Sequence, residues 1–141
     1  MSDRTLPMVI GETENTLRAL LRQTLRTTGI GGYQEWVVLN LIDAGTSPEA
    51  IATRLRITTH GVAAVAEELI RRGLLLDALT LSEQGRTELA AARESVGETT
   101  SGLVEGVTPD QAQVSRVVLE TIQRRAAAAL DASPSPENAG L

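Results

Sequence analysis

The chain has 141 residues, a formal net charge of −5, and 13 basic residues that are all arginine. With no cysteine and one histidine, it excludes a disulfide scaffold, a thiolate or multi-histidine zinc site, and any cysteine-based redox or nucleophilic centre. Its apolar runs fall far short of the roughly 20 residues that span a bilayer, and the opening MSDRTLPMVIGE has an early acid and no long apolar stretch, so a cytoplasmic chain without signal peptide or membrane segment is expected.

Leu, Ala, Arg and Glu are abundant and aromatics scarce, which predicts a mainly α fold. The first helix is expected over residues 5–28, where Ile10, Leu17, Leu20, Leu21 and Leu25 recur near the helical period and Gly29 follows as a stop. Gly31-Gly32 makes a joint. The second helix, Tyr33 to Ala44, is apolar almost all round (Trp36, Val37, Val38, Leu39, Leu41, Ile42) and is expected deep in the core. Ser47-Pro48-Glu49 combines an N-cap, a proline at the first helical position and a first-turn acid, opening a third helix with Ile51, Ala52 and Leu55. After a break at Arg56-Ile57, Thr58 or Thr59 caps a fourth helix whose inner stripe is Val62, Val65, Ala66, Leu69 and Ile70, ending at Gly73. Two short helices joined by a tight turn predict a helix-turn-helix over 47–73.

Leu74 to Leu76 and Leu79 to Leu81, around Asp77-Ala78, predict a small β-hairpin over 74–81. Ser82 caps a fifth helix running to about Gly97 or beyond, although Gly97, Gly102 and Gly106 work against an unbroken one. Thr108-Pro109-Asp110-Gln111 starts a sixth with a capping box, followed by Val114, Val117, Val118, Ile122 and an alanine run to Leu130. Residues 131–141 are rich in Pro and Ser and are expected to be a disordered tail.

This order of elements resembles the multiple-antibiotic-resistance regulator (MarR) family of winged helix-turn-helix transcription factors. The resemblance covers roughly residues 5–130. It rests on Gly29-Ile30 with Tyr33, Trp36 and Leu39, on Ile51-Ala52, Leu55, Val62, Leu69 and Arg72-Gly73-Leu74, and on Leu79-Thr80 with Gly85-Arg86. It implies one domain over 1–130, a homodimer formed by helices within 5–28 and 82–130, and a fourth helix that enters the major groove of a pseudo-palindromic operator. It also implies a hairpin wing at the minor groove, and a small, often aromatic and anionic ligand held between the dimerisation and DNA-binding parts. Apolar stripes on the first and last helices, with too few neighbours in one chain to cover them, independently favour a closed pair.

Base reading draws on Arg, Lys, Asn, Gln, Ser or Thr, yet the outward positions of the fourth helix are Thr59, His60, Gly61, Ala63, Ala64, Glu67 and Glu68. The family often places a polar residue and an arginine where Ala63 and Ala64 stand, and its wing is longer and carries an arginine. The candidate DNA contacts are therefore Arg54, Arg56, Thr58, Thr59, His60, Ala63, Ala64, Arg71, Arg72 and Arg86, and few phosphate contacts mean a weak, salt-tolerant grip. Tyr33 and Trp36, with Arg18 or Arg22 to pair an anion, are the ligand candidates.

Partitioning the charge sharpens the reading. Residues 45–86 are neutral, 1–44 carry −1 and 87–141 carry −4, so the acidity lies away from the reading head. No cofactor and no catalysis are expected: Gly29 to Gly32 lacks a preceding strand and a lysine, and the paired acids Glu67-Glu68 and Glu12 with Glu14 fall on helix surfaces. The alternative to a DNA-binding regulator is a MarR-like dimer that has lost direct DNA binding and serves as a ligand-binding or protein-interaction module.

Overall fold

The computed structural model describes residues 3–132. Among them, six α-helices and one two-stranded antiparallel hairpin follow in the order α1 (Leu6–Leu25), α2 (Tyr33–Asp43), α3 (Pro48–Leu55), α4 (Thr59–Arg71), β1 (Leu75–Asp77), β2 (Thr80–Leu81), α5 (Glu83–Ser101) and α6 (Pro109–Ala132), with a 3-10 turn at Gly102–Val104. This is the mainly α, winged helix-turn-helix class that the sequence predicts. The described residues divide into two compact units, one up to Leu103 and one from Val104 onward.

The first unit is built around α2. Val38, Leu39 and Ile42 of that helix are buried, and they join Ile51 and Ala52 of α3, Val62, Ala66 and Leu69 of α4, Leu74, Leu75 and Leu81 of the wing, and Leu89 and Ala92 of α5. The wing is fixed to α5 by close backbone approach: a side chain at Gly85 would run into the Leu74 carbonyl. Ser82 completes that corner, its hydroxyl accepting from Gly85 N at 2.9 Å while donating to the Gly73 carbonyl. α1 packs on α5, where the Thr24 and Thr99 hydroxyls meet at 3.3 Å.

Several predicted boundaries and faces change. α1 stops at Leu25 rather than 28 because Thr27 and Thr28 turn their hydroxyls onto the Thr24 and Leu25 carbonyls, closing the helix end. Of its apolar stripe only Leu25 is buried. Ile70, assigned to the inner stripe of α4, is exposed, as the stripe drifts off the core in the last turn. In the hairpin, Asp77 pairs with Thr80 across the ladder and its carboxylate accepts from Leu79 N at 2.8 Å, so Ala78-Leu79 is the connection rather than Asp77-Ala78. α5 continues through Gly97 to Ser101.

The second unit contains α6. Its predicted capping box forms: Gln111 N donates to the Thr108 hydroxyl at 3.1 Å and Thr108 N to the Gln111 side chain at 3.0 Å. No residue of α6 is buried, and Val114, Val117, Val118, Leu119 and Leu130 are exposed. Asp131 and Ala132 close this helix, and the remainder of the stretch expected as a tail, 133–141, lies outside the described residues.

Candidate functional site

The helix-turn-helix is set by its caps. The Ser47 hydroxyl accepts from Ala50 N at 3.2 Å, with Pro48 at the first turn of α3. The Thr58 hydroxyl accepts from Gly61 N at 2.9 Å, which selects Thr58 over Thr59 as the cap of α4. Between them Arg56 adopts a left-handed conformation, φ 56° and ψ 41°. A non-glycine residue there costs on the order of 1–2 kcal/mol, and the sharp turn it makes aims α4 outward.

On α4, Thr59, His60, Ala63, Ala64 and Glu67 are exposed, as predicted, on the side opposite Val62, Ala66 and Leu69. Glu68 is half-buried and ion-pairs with Arg71 one turn on. Arg54 and Arg56 are exposed around the turn, and Arg86 is exposed on the first turn of α5. At the tip of the wing, Leu76 and Leu79 are 67% and 63% exposed, so the hairpin presents apolar side chains where a DNA-reading wing carries a cation.

Arg72, expected at a phosphate, is engaged within the fold. Its guanidinium donates to the Gly29 carbonyl at 2.7 Å and to the Ile30 carbonyl at 2.9 Å. These two bonds tie the end of α4 to the joint between α1 and α2. Nothing in the local sequence marks this role, because the acceptors are main-chain groups 42 and 43 residues upstream.

A cavity of about 470 Å³ opens between α1, the start of α2 and the α3–α4 turn, lined by Arg18, Arg22, Tyr33, Gln34, Glu35, Val37, Leu55 and Ile57. Three of the four predicted ligand residues therefore share one wall, while Trp36 packs against the core instead. Arg18 pairs with Glu14 along α1 and lies over the Tyr33 ring, 5.0 Å from its centre. Its Nε is buried and has no hydrogen-bond partner. Sequence reasoning missed Gln34, Glu35, Val37, Leu55 and Ile57 as cavity residues. The first two flank Tyr33 and were legible as its neighbours, but Leu55 and Ile57 reach the cavity only through the left-handed turn at Arg56. Among the described residues, no group of three or more His, Cys, Asp or Glu side chains is arranged to hold a metal ion, and no helix is long and apolar enough to cross a membrane.

The profile of a family described as wHTH-PRTase associated matches residues 36–109. Among solved structures, CouR from Rhodococcus jostii bound to p-coumaroyl-CoA is similar, with a TM-score of 0.76 at 18% identity over 86% of this chain and 95% of that one. A second structure of the transcriptional repressor CouR with p-coumaroyl-CoA gives 0.72 at 26% identity, covering 85% and 92% of the two chains. A Mycobacterium tuberculosis MarR family protein in complex with salicylic acid gives 0.65 at 20% identity, covering 85% and 99%. No curated protein sequence matches the chain.

Proposed function

Since the chain belongs to the wHTH-PRTase associated family and has the MarR-type winged-helix fold, we propose that it is a homodimeric, cytoplasmic transcriptional regulator rather than an enzyme. The observation that carries this reading is the capped helix-turn-helix, with the Thr59, His60, Ala63 and Ala64 face of α4 standing clear of the core. Two such helices, one from each protomer, dock in successive major grooves of a pseudo-palindrome. Arg54, Arg56 and Arg86 take phosphates, Thr58 and Thr59 lie at the helix start, and Arg71 exchanges Glu68 for a phosphate. Fewer cations than a basic reader has make the grip weak and its salt dependence shallow.

The cavity takes a small anionic, aromatic ligand, with Arg18 and Arg22 for its charge and Tyr33 for its ring. The solved relatives whose names record p-coumaroyl-CoA or salicylic acid support that ligand class. Occupancy changes the spacing of the two α4 helices and hence operator affinity.

A second reading, a dimer that no longer touches DNA and serves as a ligand-binding or protein-interaction module, is favoured by the absence of arginine from the outward face of α4 before Arg71 and by the apolar wing tip. A mobility-shift titration against the promoter region of the protein's own gene decides between them. The first reading requires a sequence-preferring shift at about 50 mM salt; the absence of any preference at that salt leaves the second.

A further inference from the structure

The cavity that holds Arg18 and Arg22 also holds a carboxylate. Glu35 is the third residue of α2, and its side chain folds back over Gly32, the residue that precedes the helix. It can do so only because position 32 lacks a side chain: a Cβ there would collide with the Glu35 carboxylate. The backbone at Gly32 is extended, φ −122° and ψ 153°, a conformation open to any residue, so glycine is not needed for the turn itself. Arg22, Tyr33, Gln34 and Glu35 line the same cavity; among the described residues Arg18 pairs with Glu14 and no ion pair joins Glu35 to either arginine.

Resting on the ligand reading above, we propose that Glu35 is a resident anion that repels the ligand's acid group inside a cavity whose cations are Arg22 and the Glu14-paired Arg18, and thereby sets the pocket's selectivity for charged over neutral ligands. An incoming carboxylate and the Glu35 carboxylate repel across a cavity of this size, and solvent screens that repulsion only in part. The ligand's anion therefore binds more weakly than the two arginines alone would allow, unless the Glu35 side chain swings out of the cavity. A neutral ring of the same shape meets no such repulsion. The glycine at 32 keeps the Glu35 position open, so this residue pair acts as one device.

Calorimetric titration with salicylate and with its neutral analogue salicylamide tests this in the full chain, using Glu35→Gln, Gly32→Ala and Arg22→Ala beside the parent. Glu35→Gln removes the charge, and Gly32→Ala displaces the same carboxylate from over position 32 without altering it. Glu35→Gln is expected to tighten salicylate about threefold to tenfold, Gly32→Ala to tighten it by less, and both to change salicylamide less than twofold. Arg22→Ala is expected to weaken salicylate alone. If Glu35→Gln leaves salicylate affinity unchanged or lowers it while Arg22→Ala still weakens binding, the resident-anion role is overturned and the ligand pocket stands. If neither probe binds any of the four proteins at millimolar concentration, the ligand reading falls and the resident anion falls with it.

Discussion

Arg72 and Arg71 are adjacent arginines with opposite assignments. Arg72 spends its guanidinium on two carbonyls of the α1–α2 joint, whereas Arg71 pairs with Glu68 on a side chain that is 76% exposed. Charge-assisted hydrogen bonds to main chain stabilise by more than exposed ion pairs do. Arg72→Ala is therefore expected to lower the unfolding free energy by about 1–3 kcal/mol, with Arg72→Lys intermediate, and Arg71→Ala to change it by less than about 0.5 kcal/mol. Urea denaturation of the three variants measures both. Arg56 gives a second contrast. Its left-handed backbone makes Arg56→Gly more stable than Arg56→Ala by about 1 kcal/mol, since both lose the same side chain and only alanine keeps the Cβ clash. The caps at Ser47, Thr58 and Thr108 were legible because a hydroxyl acts on an amide three residues on. Arg72 and Arg56 were not, because one acts across the fold and the other is a backbone state that arginine does not advertise.

At the scale of elements, helix order and type were readable from periodicity and caps, and the register of the hairpin was not. Five apolar residues around Asp77-Ala78 fit more than one pairing, and the Asp77 carboxylate capping Leu79 N decided it. Helix α5 carries the sharpest element-level test, because two of its glycines do opposite things. A Cβ at Gly85 meets the Leu74 backbone carbonyl, whereas one at Gly97 meets nothing within 4 Å. Gly85→Ala must push the wing away from α5 and is expected to cost about 1–3 kcal/mol or more. Gly97→Ala fills open space in a helix interior and is expected to stabilise by up to about 1 kcal/mol. Thermal melts of the two variants should move in opposite directions; a shared direction would mean that α5 is not held to the wing through Gly85. The cavity follows the same division. Arg18, Arg22 and Tyr33 could be found from where the resembled family forms its pocket and from the scarcity of aromatics, while Leu55 and Ile57 depend on a turn that no periodicity predicts.

For the whole molecule, the net charge and the exposed apolar surface make separate demands. The −5 concerns DNA only through its distribution, and with a neutral reading segment Glu67 becomes the exposed acid on the outward face of α4. Glu67→Gln is expected to tighten binding to any duplex several-fold at low salt, without a change in sequence preference. The apolar surface concerns assembly. The 24-residue α6 buries no residue and carries Val114, Val117 and Val118 exposed at helical spacing, and helical stability in proteins comes mostly from packing an apolar face. α1 likewise leaves Leu6, Met8 and Leu17 exposed. A second copy covering these stripes is the cheapest remedy, and a two-fold pair closes without leaving a further sticky face. Light scattering should therefore give twice the 15.0 kDa chain mass. Val117→Asp, a charge placed in the middle of the α6 stripe, should return the single-chain mass while the helical signal of the first unit persists. The same variant should lose operator binding, since one half-site alone holds few phosphates. A parent protein that stays at single-chain mass at tens of micromolar would remove the dimer, and with it the two-groove docking proposed above.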